Sequence, residues 1–406
     1  TGLTPEILTC KDLPTVFEFS REVQRVVHEW SPAIWIGYNN LGFDELIMRH
    51  LFYQNLQPEI YATQTYGNTR LDVLSLVYAT YALQNPILKW PQKANGTTTF
   101  KLDQLAPFNG FNEHNAHDAL GDVRATIFVA KLIRDRCPAI WEDCIKSTNK
   151  TFVNSLISSD EPMSMVFRFG QAPPKLYNVM YCGRSEVDRN KVAVIDLNEF
   201  SGQDSLNSYS TEQVEKFFSK SPKVLRSFRV NSSPIIKVTE NPEIEIQEKA
   251  SLVLSSFDFK NKVCSFLTSE YAETEKASQV ELQIYDGFVS SLDKQILEGV
   301  GPLTWIERKN IFAKLSDSRL RKLSKRLLLF ESPQLLAYDQ REKSFRAINE
   351  RWSIDSKVNV GWTTYEKVKK QLVDLTDLGY FSEQKKKDFE VFYSSREQAL
   401  KDTIGL

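Results

Sequence analysis

The chain has 406 residues, 41% apolar and 25% charged, a globular composition long enough for two or three domains with separate cores. A net charge of −1 excludes a global basic field, so contact with any polyanion must come from a local patch. Cys10, Cys137, Cys144, Cys182 and Cys264 are scattered without a CxxC pair, which argues against a disulfide framework or zinc site and for a reducing compartment; no run of 18 apolar residues and no signal-peptide pattern is seen, so no membrane partner is expected.

After the loop TGLTPEILTCKD, apolar positions at helical spacing predict a helix over 13–30. SPAIWIGYNN reads as a short buried strand, Ala33–Tyr38, ending at a polar turn, and GFDELIMRHLFYQ starts a helix directly after it. LDVLSLVYATYAL, residues 71–83, reads as another helix, NPILKWPQKANGTTTF as a loop rich in Pro, Gly and Thr, and FKLDQLAPFNGF as the opening of a short helix. NAHDALGDVRATIFVAKLIRDR predicts a long helix with Ala119, Val123, Ile127, Ala130 and Ile133 as its apolar stripe. This alternation points to α/β layers. Near residue 140 the character changes: KLYNVMYC, NKVAVIDLN and SPIIKVTE alternate with turns, as in a smaller β-rich domain, and from about 275 onward helices dominate. No internal repeat or low-complexity tract interrupts the chain.

Chemistry concentrates in two places. Asp44, in YNNLGFDE, lies just beyond the carboxyl end of the first strand and opens a helix, where α/β sheets place ligands; a lone Asp there is more often a helix-start acid favoured by the macrodipole. HNAHDALGD holds two of the chain's four histidines. Asp122, predicted inside an apolar stripe, needs a partner, and a divalent cation is a good one. His117, five residues before it, titrates near neutrality and can take a proton from water. A capping histidine and a salt-bridged aspartate would account equally for that pair. Neighbouring His114 and Asp118 read as local structure.

Asp44 in NNLGFD together with His117 and Asp122 in HDALGD resembles motifs II and III of the DEDDh 3′→5′ exonucleases. GYNNLGFDE, RHLFYQN, NTRLDVL, the KWP loop, TFKLDQL, NGFNEHNAHDALGDVRATI and QIYDGF are similar to segments of the bacterial exodeoxyribonuclease I family, densely over about 35–145 and thinly beyond. The resemblance implies an RNase H-like exonuclease domain with a mixed sheet and flanking helices (1–140), an SH3-like β-rich domain (141–273) and a helical C-terminal domain (274–406). It implies processive degradation of single-stranded DNA from the 3′ end to 5′-mononucleotides, in DNA repair and recombination, by a cytoplasmic bacterial monomer partnered by single-stranded DNA-binding protein through that protein's C-terminal tail. It also implies a two-metal Mg²⁺ site, with Mn²⁺ as substitute, because two hard cations that clamp attacking and leaving oxygens prefer carboxylates. Asp44 and Asp122 are then metal ligands and His117 the base that deprotonates water.

Lys101, in TFKLDQL, falls where the family has an arginine on the substrate phosphate; lysine brings the charge without the bidentate fork. Arg49 is the next substrate-binding candidate, and Tyr61, Tyr66 and Trp90 are read as stacking or packing rings. Lys223, Arg226, Arg229 and Lys237 put cations in the β-rich domain, and RLRKLSKR (319–326) reads as a helix with Leu320, Leu323 and Leu327 inward and its five cations outward. The family's first motif, DxE, is not found, so this chain by itself is expected to bind metals poorly and to be inactive. Two rivals follow: an RNase T-like or proofreading exonuclease, and a catalytically silent platform for single-stranded DNA or a replication partner.

Overall fold

The structure, a computed structural model, describes residues 4–10, 12–83, 85–112, 119–202, 205–270 and 277–406. In chain order, α1 (Pro5–Leu8) and α2 (Val16–Trp30) precede β1 (Ile34–Gly37), α3 (Asp44–Gln54), β2 (Thr69–Asp72), α4 (Val73–Leu83), α5 (Leu102–Phe108), α6 (Ala119–Arg136), α7 (Pro138–Ser147) and α8 (Lys150–Ile157). There follow β3 (Met163–Phe167), β4 (Lys175–Arg184), β5 (Lys191–Asp196), α9 (Thr211–Ser219), β6 (Leu225–Arg229), β7 (Ile236–Val238), α10 (Ile244–Ser255) and α11 (Phe257–Ser269). The remainder is helical: α12 (Ser291–Glu298), α13 (Trp305–Phe312), α14 (Ser318–Glu331), α15 (Tyr338–Trp352), α16 (Tyr365–Asp377), α17 (Glu383–Ser394) and α18 (Arg396–Ile404). The chain forms two compact units, one of Trp30–Leu46 and Thr63–Glu275, the other of Gly2–Glu29, Ile47–Ala62 and Lys276–Leu406.

In the first unit β1 and β2 pair in parallel, with Ile34 opposite Thr69 and Gly37 opposite Asp72. The 71–83 helix expected from sequence is therefore corrected: its first two residues belong to β2, and the helix starts at Val73. Asp72 makes the switch, because its carboxylate accepts the Leu74 amide at 2.9 Å and so caps the new helix. Helices α4 and α6 share a core of Val73, Leu76, Val77, Ala125, Val129 and Ile133. The apolar stripe expected on α6 is corrected in part: Ala130 and Ile133 are buried as expected, but Ala119, Val123 and Ile127 are exposed. Gly121, Ala125, Val129 and Ile133 face inward, whereas Val123 and Ile127 are about half exposed, at 54% and 47%. The buried face of α6 runs at i, i+4 from a glycine, a residue that carries no hydropathic signal.

The second sheet of this unit is antiparallel throughout, in the order β6-β5-β4-β3-β7. Both faces are covered, as the strand period of two allows. Met180, Cys182 and Ile195 pack under α10 and α11, while Val179, Val192 and Val194 pack against Val153 and Ile157 of α8. Gly183 lies so close to α11 that a Cβ there would stand 2.8 Å from Val263.

The second unit is held by Phe17, Tyr53, Leu297, Phe312 and the α14 leucines 320, 323 and 327, the inward face expected for that helix. A smaller cluster joins Leu329, Leu400 and Ile404. No helix among the described residues is long and apolar enough to cross a membrane.

Candidate active site

The site begins with a turn. Gly37 ends β1 where the chain folds back on itself, and a Cβ at that position would collide with the Asn40 side chain at 2.6 Å. Asn39 takes the left-handed conformation (φ 58°), which asparagine tolerates better than most residues. Phe43 donates its amide to Asn40 across the turn, and α3 starts at Asp44. Thus YNN delivers Asp44 to the carboxyl end of a parallel strand, as its sequence position suggested. Its side chain is exposed, and no ion pair to it is seen among the described residues. Partial burial pushes its carboxyl up from the ordinary range, against the pull of its own backbone amide.

Beneath this turn lies β2, whose alternation sends Leu71 into the core and Arg70 and Asp72 to the other face. Both charged residues are buried, Arg70 at 7% exposure and Asp72 at 6%. The Asp72 carboxylate accepts the Asn39 amide at 2.7 Å as well as that of Leu74. Its pKa is raised, by burial first and by the charge of Asp44 as well, while the Leu74, Asn39 and Leu41 amides oppose the rise. Arg70 pairs with Glu45 at 3.4 Å, and Glu45 also accepts the Thr63 hydroxyl at 2.9 Å.

At the same end of β1, the buried Tyr38 hydroxyl donates to the Phe100 carbonyl, and burial drives its pKa well up. That bond fixes the residue before Lys101. Lys101 itself occupies the N-cap of α5 and is exposed, with no ion pair among the described residues. Phe100 is gripped by Tyr78, Tyr81, Trp90 and the Arg168 guanidinium, which lies 5.0 Å from its ring centre. Trp90 therefore packs rather than stacks on a ligand.

Asp122 sits in the first turn of α6, half-buried, on a helix that packs against α4 and α5. His117, with His114 and Asp118, lies outside the described residues. Arg49, on α3, and Tyr61 belong to the second unit and stand together, with the guanidinium 5.1 Å from the ring centre. The carboxylates of Asp44 and Asp122 offer hard oxygens of the kind a divalent cation takes, and among the described residues no cation pairs with Asp44. Among the described residues, however, no three His, Cys, Asp or Glu side chains gather closely enough to hold a metal on their own.

Two cation assignments change. On α14, Arg319 and Arg326 do not point outward. Arg319 pairs with Asp317 at 2.7 Å and donates to the carbonyls of Gln283 and Gly287, each at 2.9 Å, while Arg326 reaches Gln54. Arg319 thereby supports the QIYDGF segment, beside which Phe288 is fully exposed and Tyr285 more than half exposed. In the small sheet Arg226 is buried, ion-paired to Asp196 at 3.1 Å and stacked 4.2 Å from the Phe169 ring centre. All three arginines have neighbours distant in sequence, which helix or strand periodicity cannot reveal. Sequence reasoning also passed over Arg70, Asp72, Glu45 and Tyr38. All four fall within the NTRLDVL and GYNNLGFDE segments, which carried the resemblance without singling these residues out.

No family model matches the chain. It is 27% identical over 341 residues to an exodeoxyribonuclease I of Buchnera aphidicola subsp. Acyrthosiphon pisum, covering 80% of this chain and 81% of that one. Among solved structures, an Escherichia coli exonuclease I in complex with a dA16 oligonucleotide superposes with a TM-score of 0.73 at 21% identity, covering 96% of this chain and 83% of the other. A complex of exonuclease I with the C-terminal peptide of single-stranded DNA-binding protein superposes with a TM-score of 0.76 at 22% identity, covering 100% and 86%. The structural likeness establishes the fold.

Proposed function

From a chain homologous to the bacterial exodeoxyribonucleases I, we infer a 3′→5′ exodeoxyribonuclease that degrades single-stranded DNA by metal-dependent phosphodiester hydrolysis. Asp44 carries the reading: a carboxylate at the carboxyl end of a parallel strand, without an ion-pair partner among the described residues, on a turn fixed from both sides. Asp44 and Asp122 would hold Mg²⁺, with Mn²⁺ as substitute, together with the carboxylates of a DxE motif that these residues do not supply. When bound there, the cations would supply Lewis acidity and a more acidic water.

The chain's own residues do the rest. His117 takes the proton of the attacking water, whose oxygen bonds to the terminal phosphorus. The bond to the 3′ oxygen of the preceding nucleotide breaks, and a 5′-mononucleotide leaves. Lys101 holds the phosphate as a point charge. Arg49, Tyr61 and the exposed rings of Tyr285 and Phe288 offer the charge and π-faces that bind single strands without sequence preference. The protein works as a monomer in the bacterial cytoplasm, in DNA repair and recombination. Its partner is single-stranded DNA-binding protein, whose C-terminal peptide is bound by a protein of the same fold. We assign the exonuclease chemistry to residues 1–140, with 141–273 and 274–406 as appended domains.

The test is release of mononucleotides from a 5′-labelled single-stranded oligonucleotide, with and without EDTA and beside a matched RNA. Metal-dependent shortening from the 3′ end of DNA is expected of a protein in which these residues are joined by a DxE motif, and little or none of these 406 residues alone. Equal degradation of RNA, or shortening that survives both EDTA and Asp44→Ala, overturns the reading.

A further inference from the structure

A carboxylate that waits for a cation cannot fix itself through bonds of its own, so something else must aim it. We propose that Arg70 and Asp72, two residues of β2 that need not touch substrate, are the positioning residues for Asp44, gripping the chain on both sides of it and tying that grip to the small antiparallel sheet. The proposal rests on the reading of Asp44 as a cation ligand.

The grip on the N-terminal side is the Asp72 carboxylate. It takes the Asn39 amide at 2.7 Å, so the turn five residues before Asp44 is held from the neighbouring strand. The same carboxylate caps α4 through Leu74, which fixes its own orientation. The grip on the C-terminal side is Arg70. One guanidinium nitrogen lies 3.4 Å from Glu45, the residue after Asp44, and Thr63 donates a second bond to that carboxylate at 2.9 Å. The other terminal nitrogen donates to the Asn231 carbonyl at 2.6 Å, and the Ser233 hydroxyl donates to the Arg70 carbonyl. Residues 231–233 lie between β6 and β7. Arg70 therefore spans from the loop of the small sheet to the helix turn that bears Asp44.

The energetics single out the arrangement. Glu45, Arg70 and Asp72 are all at least nine-tenths buried, and a buried charge is costly unless fully hydrogen-bonded. A helix start that only needed packing would be served by apolar residues. Three buried charged groups converging on the two flanks of one exposed carboxylate serve orientation.

The experiment compares wild type, Asp72→Asn, Arg70→Lys and Asp44→Asn in the full-length protein. Four quantities are read: Mn²⁺ affinity without DNA by electron paramagnetic resonance, hydrogen exchange of peptides spanning 38–46, Tm, and affinity for a labelled dT oligonucleotide in EDTA. Asp72→Asn keeps the shape and one acceptor oxygen; Arg70→Lys keeps the charge and loses the fork. Both are expected to weaken Mn²⁺ binding about tenfold and to speed exchange in 38–46, with oligonucleotide affinity within about twofold of wild type. Raising Mn²⁺ should restore the turnover of Asp72→Asn, which a general loss of folding would not permit. Unchanged Mn²⁺ affinity in both variants, or unchanged exchange, overturns the proposal. Unchanged Mn²⁺ affinity in Asp44→Asn sinks the ligand reading and the proposal together, so the two failures are told apart. If Asp72→Asn does not fold, Arg70→Lys carries the same comparison.

Discussion

Asp44 and Lys101 are the two described residues on which the chemistry can be tested most directly. Asp44→Asn removes one anionic oxygen donor while preserving volume. It should lower the rate of mononucleotide release at least ~10²-fold and leave oligonucleotide affinity in EDTA nearly unchanged, as anisotropy would report. Lys101→Ala should weaken binding and reduce the slope of log K against log salt by about 0.7, the contribution of one single-strand phosphate; Lys101→Arg should restore the slope. Asp44 was legible in the sequence because a turn motif after an apolar strand puts it where ligands bind. Asp72 and Arg70 were not, because their partners are the backbone of Asn39, the side chain of Glu45 and a carbonyl 161 residues away. A hydrogen bond to a distant backbone atom leaves no pattern in either local segment.

Helix phase and helix capping can be tested at the scale of single elements. Val129 and Val123 lie on the same helix, yet the first is 1% exposed and the second 54%. Val129→Ala should cost about 2–3 kcal/mol in denaturant unfolding and Val123→Ala less than about 0.5 kcal/mol. If the two costs are equal, the corrected phase of α6 is wrong. The existence of α2, α3, α6 and α14 was readable from periodicity; β2 was not, because four residues running straight into a helix share its apolar character. In the second unit, Asp293 of α12 receives the amides of Ser316 and Asp317 and the Ser316 hydroxyl, at 2.7–3.0 Å. Burial pushes its carboxyl up, but these donors prevail and hold it below the ordinary value. Its contribution to stability is therefore present above the unfolded pKa, roughly 3.9, and disappears as pH falls through the lower folded value. Thermal melts between pH 5 and 2 should show this loss in wild type and a flatter profile in Asp293→Asn.

For the whole molecule, the near-zero net charge sets the electrostatics. With no global field, the salt slope of oligonucleotide binding should stay near −2 to −4, corresponding to roughly three to five phosphates at about 0.7 each. A slope near −10 would require a basic surface that the local cations do not provide. The class of the fold was readable from composition and run length, whereas the Arg226 stack and the inward turn of Arg319 emerge only when distant segments meet. The bonds from Arg70 to the loop at 231–233 also bear on how the chain can be cut. A fragment ending after α8 would contain every predicted ligand in the described residues, yet it would strand one arm of a buried guanidinium without its acceptor. Trimming the protein to its nuclease lobe should therefore yield a poorly ordered catalyst, and any minimal version has to retain the sheet that supplies that acceptor.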